Sequence, residues 1–277
     1  MKIKGNLVVL DQPVVMGILN VTPDSFYDGG SNLSETQILK NTEKMLSEGA
    51  AFIDLGGYSS RPGAKDVTEN EERSRVVPAI KSLVKQFPDI IISVDTFRSS
   101  IANEALSEGA SIINDISGGE LDKLMYETVA QFNAPYILMH MRGTPQTMQQ
   151  FTHYDDLVKD LLQYFAKKIS LARDAGIKDI IIDPGFGFSK TIEQNFKLLN
   201  DLDIFKILEL PILAGISRKS MISKTLNVTS EEALNGTTVI NTIALMKGCS
   251  VLRVHDVKPA IEAIKIYNKI KESENID

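Results

Sequence analysis

The chain has 277 residues, 43% of them hydrophobic, and it carries a formal net charge of −6 at pH 7. The acidic balance argues against a general nucleic-acid binder or a binder of anionic membranes, and the hydrophobic content supports a large buried core. Cys249 is the only cysteine, so no internal disulfide can form, and no signal-peptide or membrane-spanning pattern is visible. We therefore expect a cytoplasmic protein that binds neither nucleic acid nor membrane.

Eight apolar runs typical of β-strands recur along the chain, and each ends in or beside a polar residue. In chain order they cover residues 14–20, 52–54, 90–95, 111–115, 136–140, 180–183, 211–217 and 251–255. Between most of them lie segments with helical periodicity, at about 34–48, 68–86, 99–108, 120–132, 155–175, 191–208 and 231–247, and a last helix is expected at 258–271. A short strand over 7–10 is expected to form half of a hairpin that covers the bottom of the molecule.

This alternation predicts an α/β protein, a single (β/α)8 TIM barrel domain spanning residues 1–277. A doubly wound open sheet is the alternative. We favour the barrel because the polar strand ends continue through all eight units, whereas an open sheet collects its ligand groups at one switch point. In a barrel these ends share one face, which would hold Asn20, Asp54, Asp95, Asn114, His140, Asp183, Lys219 and His255.

Three of these residues suggest a heterocyclic ligand. Asp95, Asn114 and Asp183 each follow a buried run, where a carboxylate must be hydrogen-bonded or neutralised. Two carboxylates and an amide suit a guanidine-like or aminopyrimidine edge, because carboxylates accept paired N–H bonds. The alternative is that each residue caps a helix or binds loop amides. That alternative is as good for any one of them, but weaker for three together at the rim where barrels keep their sites.

The cations suggest an anion site. Arg61, Lys219 and Arg253 lie on the second, seventh and eighth loops or strand ends. Arg253 and His255 are two residues apart in a strand and so point the same way, and with Lys219 they would bind an anion, most commonly phosphate. Solvated surface charge is the alternative, and it suits Arg218 better than Arg253.

Asn20 is the candidate metal ligand. Its amide oxygen beside a phosphate site suggests a hard divalent cation such as Mg²⁺, which takes few protein ligands. A turn-stabilising asparagine is the alternative, and the sequence alone favours it somewhat. The glycine- and proline-rich segments near 21–30 and 56–63 are able to close over a site and exclude water, or serve as plain barrel connections.

Other common motifs are missing. Residues 185–188 lack the spacing of a dinucleotide fingerprint, and no Gly-Lys-Ser/Thr phosphate loop occurs. Residues 215–219 lack the second glycine of an esterase elbow, and one cysteine with three scattered histidines is too few for a zinc cluster.

Nine motifs in order along nearly the whole chain resemble the dihydropteroate synthase family. They are MGILNVTPDSF (16–26), DLGG (54–57), SRPG (60–63), SVDT (93–96), INDISGG (113–119), MHMRGTP (139–145), DPGFGF (183–188), SRKS (217–220) and RVHD (253–256). The resemblance implies condensation of 6-hydroxymethyl-7,8-dihydropterin diphosphate with p-aminobenzoate to 7,8-dihydropteroate and diphosphate. It also implies Mg²⁺, a barrel fold, a homodimer and inhibition by sulfonamides.

The resemblance also implies site residues. The pterin would be held by Asp95, Asn114, Met139, Asp183, Gly215 and Lys219. The diphosphate and its metal would be held by Asn20, Arg61, Arg253 and His255. The p-aminobenzoate would lie against Phe26, Ser60, Arg61, Pro62, Phe188, Lys219 and Ser220. The catalytic set would be Asp95, Asp183, Lys219, Arg253 and His255.

Two positions depart from the family pattern, and two other functions remain open. Ser60 stands where the family usually has threonine, and Tyr58 stands where glutamate is frequent. Tyr58 is expected to stay out of direct contact with the substrates. The alternatives are a methyltetrahydrofolate-type pterin-binding methyltransferase domain, which has no need of the anion site, and a non-catalytic pterin-binding homologue.

Overall fold

Eight parallel strands form the centre of the molecule, in a computed structural model that describes residues 1–21, 35–58 and 66–273. They are β3 (Val14–Asn20), β4 (Phe52–Gly56), β5 (Ile92–Asp95), β6 (Ile112–Asp115), β7 (Tyr136–Met139), β8 (Ile180–Asp183), β9 (Leu213–Ala214) and β10 (Val251–Val254). Two further strands, β1 (Lys2–Ile3) and β2 (Asn6–Leu7), form a separate antiparallel hairpin. From β3 to β8 each strand pairs with the next, and β10 pairs with both β3 and β9. A parallel bridge from Ile182 to Ile212 joins the two ends of the sheet. The sheet is a nearly closed barrel, so the predicted fold is confirmed.

Helices surround the barrel and connect most of its strands. They are α1 (Glu35–Ser47), α2 (Glu69–Gln86), α3 (Ser99–Ser107), α4 (Met125–Gln131), α5 (Leu157–Asp174), α6 (Ile192–Asn200), α7 (Ser220–Leu226), α8 (Leu234–Met246) and α9 (Val257–Ser273). A capping box begins α2: Glu71 N donates to Thr68 Oγ1 at 3.3 Å, and Thr68 N donates to Glu71 Oε2 at 2.8 Å.

The sequence-based bounds fail around the seventh unit. The helix predicted over 191–208 divides into α6 and a 3₁₀ segment, Leu202–Leu208, and α7 was not predicted. The predicted strand over 211–217 is only two residues long. Pro211 has no N–H to give to a strand ladder, and the polar segment after Ile216 turns into α7, so periodicity gives little guidance there.

The hairpin of β1 and β2 covers the bottom of the barrel, as expected, although β2 lies earlier than the predicted strand over 7–10. Its turn falls at Lys4 and Gly5, which both have positive φ. Ile3 packs into an apolar layer inside the barrel with Met16, Phe52, Ile112, Ile137, Ile181, Leu213 and Val251.

The next inward layer of the barrel is largely polar. Because residues two apart in a strand face the same side, the residues above this apolar floor are Ile18, Asp54, Asn114, Met139, Asp183, Gly215 and Arg253. Seven strands thus contribute to a mostly polar layer at the C-terminal mouth of the barrel, and this layer lies on the buried apolar layer described above.

Two further features bear on the expectations above. The Cys249 side chain is buried, and its Sγ lies 3.1 Å from Val251 O, so it packs as a small core residue. No helix within the described ranges is long and apolar enough to cross a membrane.

Candidate active site

Arg253 is at the centre of the polar layer and binds two carboxylates. Its Nε donates to Asp54 Oδ2 at 2.6 Å, and its Nη2 donates to Asp95 Oδ2 at 2.8 Å. Asn114 Nδ2 donates to the same Asp54 oxygen at 3.1 Å. Residues from β4, β5, β6 and β10 are therefore joined across the barrel mouth. Their strand positions alone set this contact, because each lies at an inward position near its strand's C-terminal end.

Asp54 is fully buried, and only one of its two carboxylate oxygens is hydrogen-bonded within the described residues. Its Oδ1 has no hydrogen-bond partner within the described residues. A buried oxygen of this kind costs free energy unless a donor reaches it. Sequence reasoning placed Asp54 on the functional face but gave it no ligand role. The signal was present, because Asp54 lies two residues after Phe52 of the apolar floor, as Asn114 does after Ile112.

The electrostatics of this cluster favour a bound donor. Burial raises the pKa of Asp95 to about 7; the charge of Arg253 opposes this rise, and the charge of Asp54 adds to it. Burial acts against the charge of Arg253, but Asp54 and Asp95 outweigh it and raise the pKa of Arg253 above its usual value. Arg253 therefore stays a cation, and a ligand N–H beside the acids would relieve their mutual repulsion.

Asp183 and Lys219 form the second part of the site. Asp183 Oδ1 accepts from Gly185 N at 2.8 Å, and Lys219 Nζ donates to Phe186 O. Burial raises the pKa of Asp183, and the charge of Lys219 opposes that rise. Burial also lowers the pKa of Lys219 to about 8, although Asp183 opposes this change. The Phe188 ring centre lies 4.5 Å from Lys219 Nζ, which gives the lysine a cation–π contact.

An apolar wall flanks these charges. Met139 packs with Ile116, Met141, Met148 and Phe188, and Phe97 lies against this group. A flat ring could therefore be held at its polar edge by the acids and on its face by Met139. At Gly215, an added Cβ would lie 3.8 Å from Asp183 Oδ2 and 3.9 Å from Arg253 Cδ, so this glycine keeps the space between the two clusters open.

His255 has a partner that the sequence did not suggest. Ser217 Oγ lies 3.0 Å from His255 Nδ1 and accepts from His255 N at 3.2 Å. His255 is exposed, whereas the Arg253 side chain faces the carboxylates of Asp54 and Asp95. The two residues belong to the same strand end, but the anion site predicted from Arg253, His255 and Lys219 is not a closed cluster.

Arg218 is not the solvated surface charge that its sequence context favoured. It donates from Nε and Nη2 to the two carboxylate oxygens of Asp256, at 2.8 and 2.9 Å. Its Nη1 donates to Ser230 O at 3.0 Å and to Glu231 O at 2.8 Å. The guanidinium thus joins the seventh and eighth loops of the barrel, directly beside Lys219 and His255.

The other predicted site residues have varied outcomes. Asn20 is partly buried at the end of β3, and Ser220 is exposed at the start of α7. His140 is buried and bound to Lys190 instead of facing the mouth, with Nδ1 and Nζ 3.1 Å apart. Four predicted residues lie outside the described residues: Phe26, Ser60, Arg61 and Pro62.

Tyr58 is bound among protein groups. Its hydroxyl accepts from Gln146 Nε2 at 2.5 Å and donates to Asp66 Oδ1 at 3.1 Å. Its ring meets Phe97 edge to face, with 5.1 Å between ring centres. These contacts satisfy the side chain within the protein.

Comparison with known proteins identifies the family. Residues 16–255 match the family model described as pterin binding enzyme. The dihydropteroate synthase of Escherichia coli K12 is 44% identical over 266 residues, which are 95% of this chain and 93% of that protein. The chain belongs to the dihydropteroate synthase family.

Solved structures of dihydropteroate synthases agree with this assignment. The Yersinia pestis dihydropteroate synthase in a sulfonamide drug complex is 42% identical, with a TM-score of 0.93, and the match covers 98% of this chain and 99% of that one. The Xanthomonas albilineans dihydropteroate synthase with 4-aminobenzoic acid is 37% identical, with a TM-score of 0.89 and 96% of each chain covered. As a member of the dihydropteroate synthase family, the chain is an enzyme with a pterin-binding barrel.

Proposed function

We propose that this enzyme condenses 6-hydroxymethyl-7,8-dihydropterin diphosphate with p-aminobenzoate, forming 7,8-dihydropteroate and diphosphate. The observation that carries the proposal is the acid cluster around Arg253 at the mouth of a barrel of this family. It brings together the buried carboxylate of Asp54, the partly buried carboxylate of Asp95 and the buried amide of Asn114. Two acceptors and an amide suit the amino-pyrimidinone edge of a pterin.

In this proposal, two clusters of residues bind opposite sides of the pterin ring. Asp54, Asp95 and Asn114 accept from or donate to one edge, and Asp183 accepts from the other. Met139 packs on the ring face, while Gly215 leaves room for the ring. With the ring held in this way, the exocyclic CH₂ would face the side of the mouth that carries Lys219 and His255.

The reaction is a dissociative substitution at this CH₂. The C–O bond to diphosphate breaks and its electron pair leaves with the diphosphate, while the electron-rich pterin ring stabilises the resulting cation. The carboxylates of Asp95 and Asp183 favour that positive charge, and Arg253 with His255 favours the negative charge on the leaving oxygen. The amine nitrogen of p-aminobenzoate then forms the C–N bond and releases a proton. No strong base is needed, because an aromatic amine is neutral at pH 7.

The p-aminobenzoate lies beside Phe188, Lys219 and Ser220. The Phe188 ring contacts the aromatic ring, and the Lys219 ammonium and the start of α7 face its carboxylate. The remaining predicted contacts are Phe26, Ser60, Arg61 and Pro62. Sulfonamides resemble p-aminobenzoate in shape, so we expect them to compete for the same place.

We also propose that Mg²⁺ assists the diphosphate. Asn20 Oδ1 and Asp95 Oδ2 both lie beside Gly56, at 3.5 and 3.9 Å from where a Cβ on this glycine would be. An amide and a carboxylate oxygen fit a hard cation. Because no group of three or more acidic, histidine or cysteine side chains in the described residues could hold a metal, the ion would keep water and phosphate oxygens as its other ligands. When bound, Mg²⁺ neutralises charge on the diphosphate.

The decisive assay measures diphosphate release with both substrates, with and without Mg²⁺. We expect release that requires p-aminobenzoate, that matches dihydropteroate formation one to one, and that falls strongly when Mg²⁺ is chelated. Pterin binding without any diphosphate release would contradict the proposal and favour a non-catalytic homologue. Release that is unaffected by chelation would contradict the metal assignment alone.

We further propose that the enzyme is a homodimer that pairs through α8 and α9. Helix α8 contains no charged residue, and it exposes Val239, Ile243 and Met246 at helical spacing. Helix α9 packs beside it and exposes Ile266 and Ile270. An uncharged apolar face can pair with its own copy about a two-fold axis without like-charge repulsion. Light scattering should give twice the chain mass, and Met246→Glu should give the monomer mass; a wild-type monomer would contradict this.

The expected setting of the enzyme is the cytoplasm. The buried single cysteine, the net charge of −6 and the small-molecule substrates support that placement. Cell fractionation tests it, and recovery with the membrane fraction would contradict it.

A further inference from the structure

A buried lysine lies behind the loop that follows β8. Lys190 is only 3% exposed, and its Nζ donates to Gly185 O at 3.0 Å and to Phe188 O at 3.1 Å. Its third contact is His140 Nδ1, at 3.1 Å. All three acceptors are uncharged. Two are backbone carbonyls, and burial, followed by the charges of Lys190 and Arg142, holds the pKa of His140 well below its usual value, so its ring is neutral. A methionine would fill the same space without the free-energy cost of burying an amine.

The loop that Lys190 binds is sharply turned. Gly185, Gly187 and Ser189 have φ values of 74°, 80° and 45°, which is left-handed backbone at alternate positions. Phe188 N donates to Gly185 O at 3.1 Å, which closes one turn of the loop. Lys190 Nζ binds the carbonyls at both ends of this turn, so one amino group holds its shape. Burial lowers the pKa of Lys190 to about 7, although the charge of Asp183 opposes this change, and the side chain keeps N–H donors for both carbonyls in either protonation state.

The opposite side of the same turn faces the substrates. Phe186 O accepts from Lys219 Nζ, and the Phe188 ring lies 4.5 Å from that nitrogen. A Cβ on Gly187 would lie 2.9 Å from Lys219 Cδ, so the turn and the lysine are in close contact. Lys190 therefore acts on the active site only through this loop.

We propose that Lys190 is a positioning residue that holds the Gly185–Phe188 turn against Lys219 and so shapes the p-aminobenzoate subsite. The inference rests on the proposed function, since it names the substrate that the turn meets. Its effect is selective. Asp183 is also held by the β8 ladder, whereas the Phe188 ring depends on the turn for its position. Loss of Lys190 should therefore weaken p-aminobenzoate binding more than pterin binding.

The test compares three variants by steady-state kinetics at a temperature well below their melting temperatures. Lys190→Met removes the N–H donors at nearly constant volume, and Lys190→Gln keeps two donors without the charge. Lys178→Met is the matched control, because Lys178 Nζ also donates to a neutral oxygen, Asn133 Oδ1 at 3.2 Å, but at the opposite end of β8. We expect Lys190→Met to raise the KM for p-aminobenzoate about tenfold or more and the KM for the pterin diphosphate less than about threefold. Lys190→Gln should lie between Lys190→Met and wild type.

The outcomes separate this inference from the proposed function. If the wild-type enzyme releases no diphosphate, the proposed function fails. If the wild type is active and Lys190→Met has wild-type KM values, raises both KM values equally, or matches Lys178→Met, the positioning role fails. If Lys190→Met does not fold, Lys190→Gln decides alone: a rise of about threefold or more confined to the KM for p-aminobenzoate supports the role, and any other result contradicts it.

Discussion

At the scale of single residues, the site is an arrangement of buried charges that need a ligand. One carboxylate oxygen of Asp54 accepts a hydrogen bond from Arg253, and the other has no partner in the described residues. Burial also raises the pKa of Asp183. Burying such groups costs stability in the free enzyme, and a pterin with N–H donors on its edge would recover part of that cost. In the proposed reaction, Asp183 would both bind the pterin and favour the positive charge that develops on it.

At Gly215, a substitution is expected to affect pterin binding without lowering the stability of the fold. Its φ is not positive, and a Cβ there would make ordinary contacts with Asp183 and Arg253. We expect Gly215→Ala to leave the free energy of unfolding unchanged or raised by up to about 1 kcal/mol, since alanine restricts the unfolded chain. The added methyl group projects into the ring space, so pterin affinity should fall about tenfold. Urea denaturation and pterin titration measure the two effects, and unchanged affinity would contradict the assigned position of the ring.

Lys219 should give the enzyme an alkaline limit. Its pKa is lowered to about 8, so the side chain is an ammonium below that pH and a neutral amine above it. We expect kcat/KM for p-aminobenzoate to fall about tenfold per pH unit above pH 8, because the positive charge that faces the substrate carboxylate is lost.

Lys219→Arg is the matched variant for this limit. Arginine stays charged, so the fall above pH 8 should disappear even if the overall rate is lower. A variant that keeps the wild-type pH profile would show that another group titrates.

Individual site residues were predictable where strand period alone decides their direction. Asp95, Asn114 and Asp183 were identified because each follows a buried apolar run, and Arg253 because it lies in a strand, two residues before His255. Partners that depend on loop geometry were not predictable. Nothing in the sequence indicates that Ser217 binds His255, that Lys190 binds His140, or that Arg218 binds Asp256, since these contacts require the exact path of two loops.

At the scale of elements, the loops after β9 and β10 act as a pair. Arg218 has left-handed backbone, with φ 56°, between Ser217 and Lys219, and its guanidinium binds Asp256 next to His255. Lys219 and His255, which belong to these two loops, therefore lie beside one shared contact between Arg218 and Asp256. A left-handed arginine is unusual, and the several hydrogen bonds of its side chain help to hold it there.

Breaking this contact should affect stability and the leaving-group site together. Asp256→Asn keeps the side-chain volume but loses the charge of a partly buried bidentate pair. We expect a loss of about 1–2 kcal/mol in the free energy of unfolding and a higher KM for the pterin diphosphate.

An exposed ion pair provides the control for this change. Lys269→Gln breaks the surface pair with Glu272 and should cost less than about 0.5 kcal/mol, with unchanged kinetics. Chemical denaturation and initial rates test both variants, and equal effects of the two would contradict the bracing role.

Element bounds were predictable where caps and periodicity agree. The Thr68–Glu71 box marks the start of α2, and the apolar alternation gives β3 and β10 to within a residue. The predicted bounds failed around α6 to α7, where a 3₁₀ segment follows the helix and where the strand predicted from Pro211 begins only at Leu213. Local propensity does not decide such regions, because packing between neighbouring units does.

At the scale of the whole molecule, the barrel explains why distant residues meet. Asp54 and Arg253 are 199 positions apart in sequence and 2.6 Å apart in space. The closing pairs, β10 with β3 and the bridge between Ile182 and Ile212, bring the first and last units together. The barrel fold and the face that carries the site were predictable, because few folds accommodate eight repeated apolar runs separated by helices. The directions of the loop side chains were not predictable.

Calorimetric titration of 6-hydroxymethyl-7,8-dihydropterin diphosphate, without p-aminobenzoate, tests most directly whether the acids at the mouth hold the pterin. Asp183→Asn is isosteric but replaces an acceptor with an N–H donor, and Asp155→Asn on the exposed surface is its control. We predict that Asp183→Asn weakens binding about 30-fold or more, which is about 2 kcal/mol, and that Asp155→Asn binds like the wild type. Affinity of Asp183→Asn within about threefold of the wild type would contradict the account.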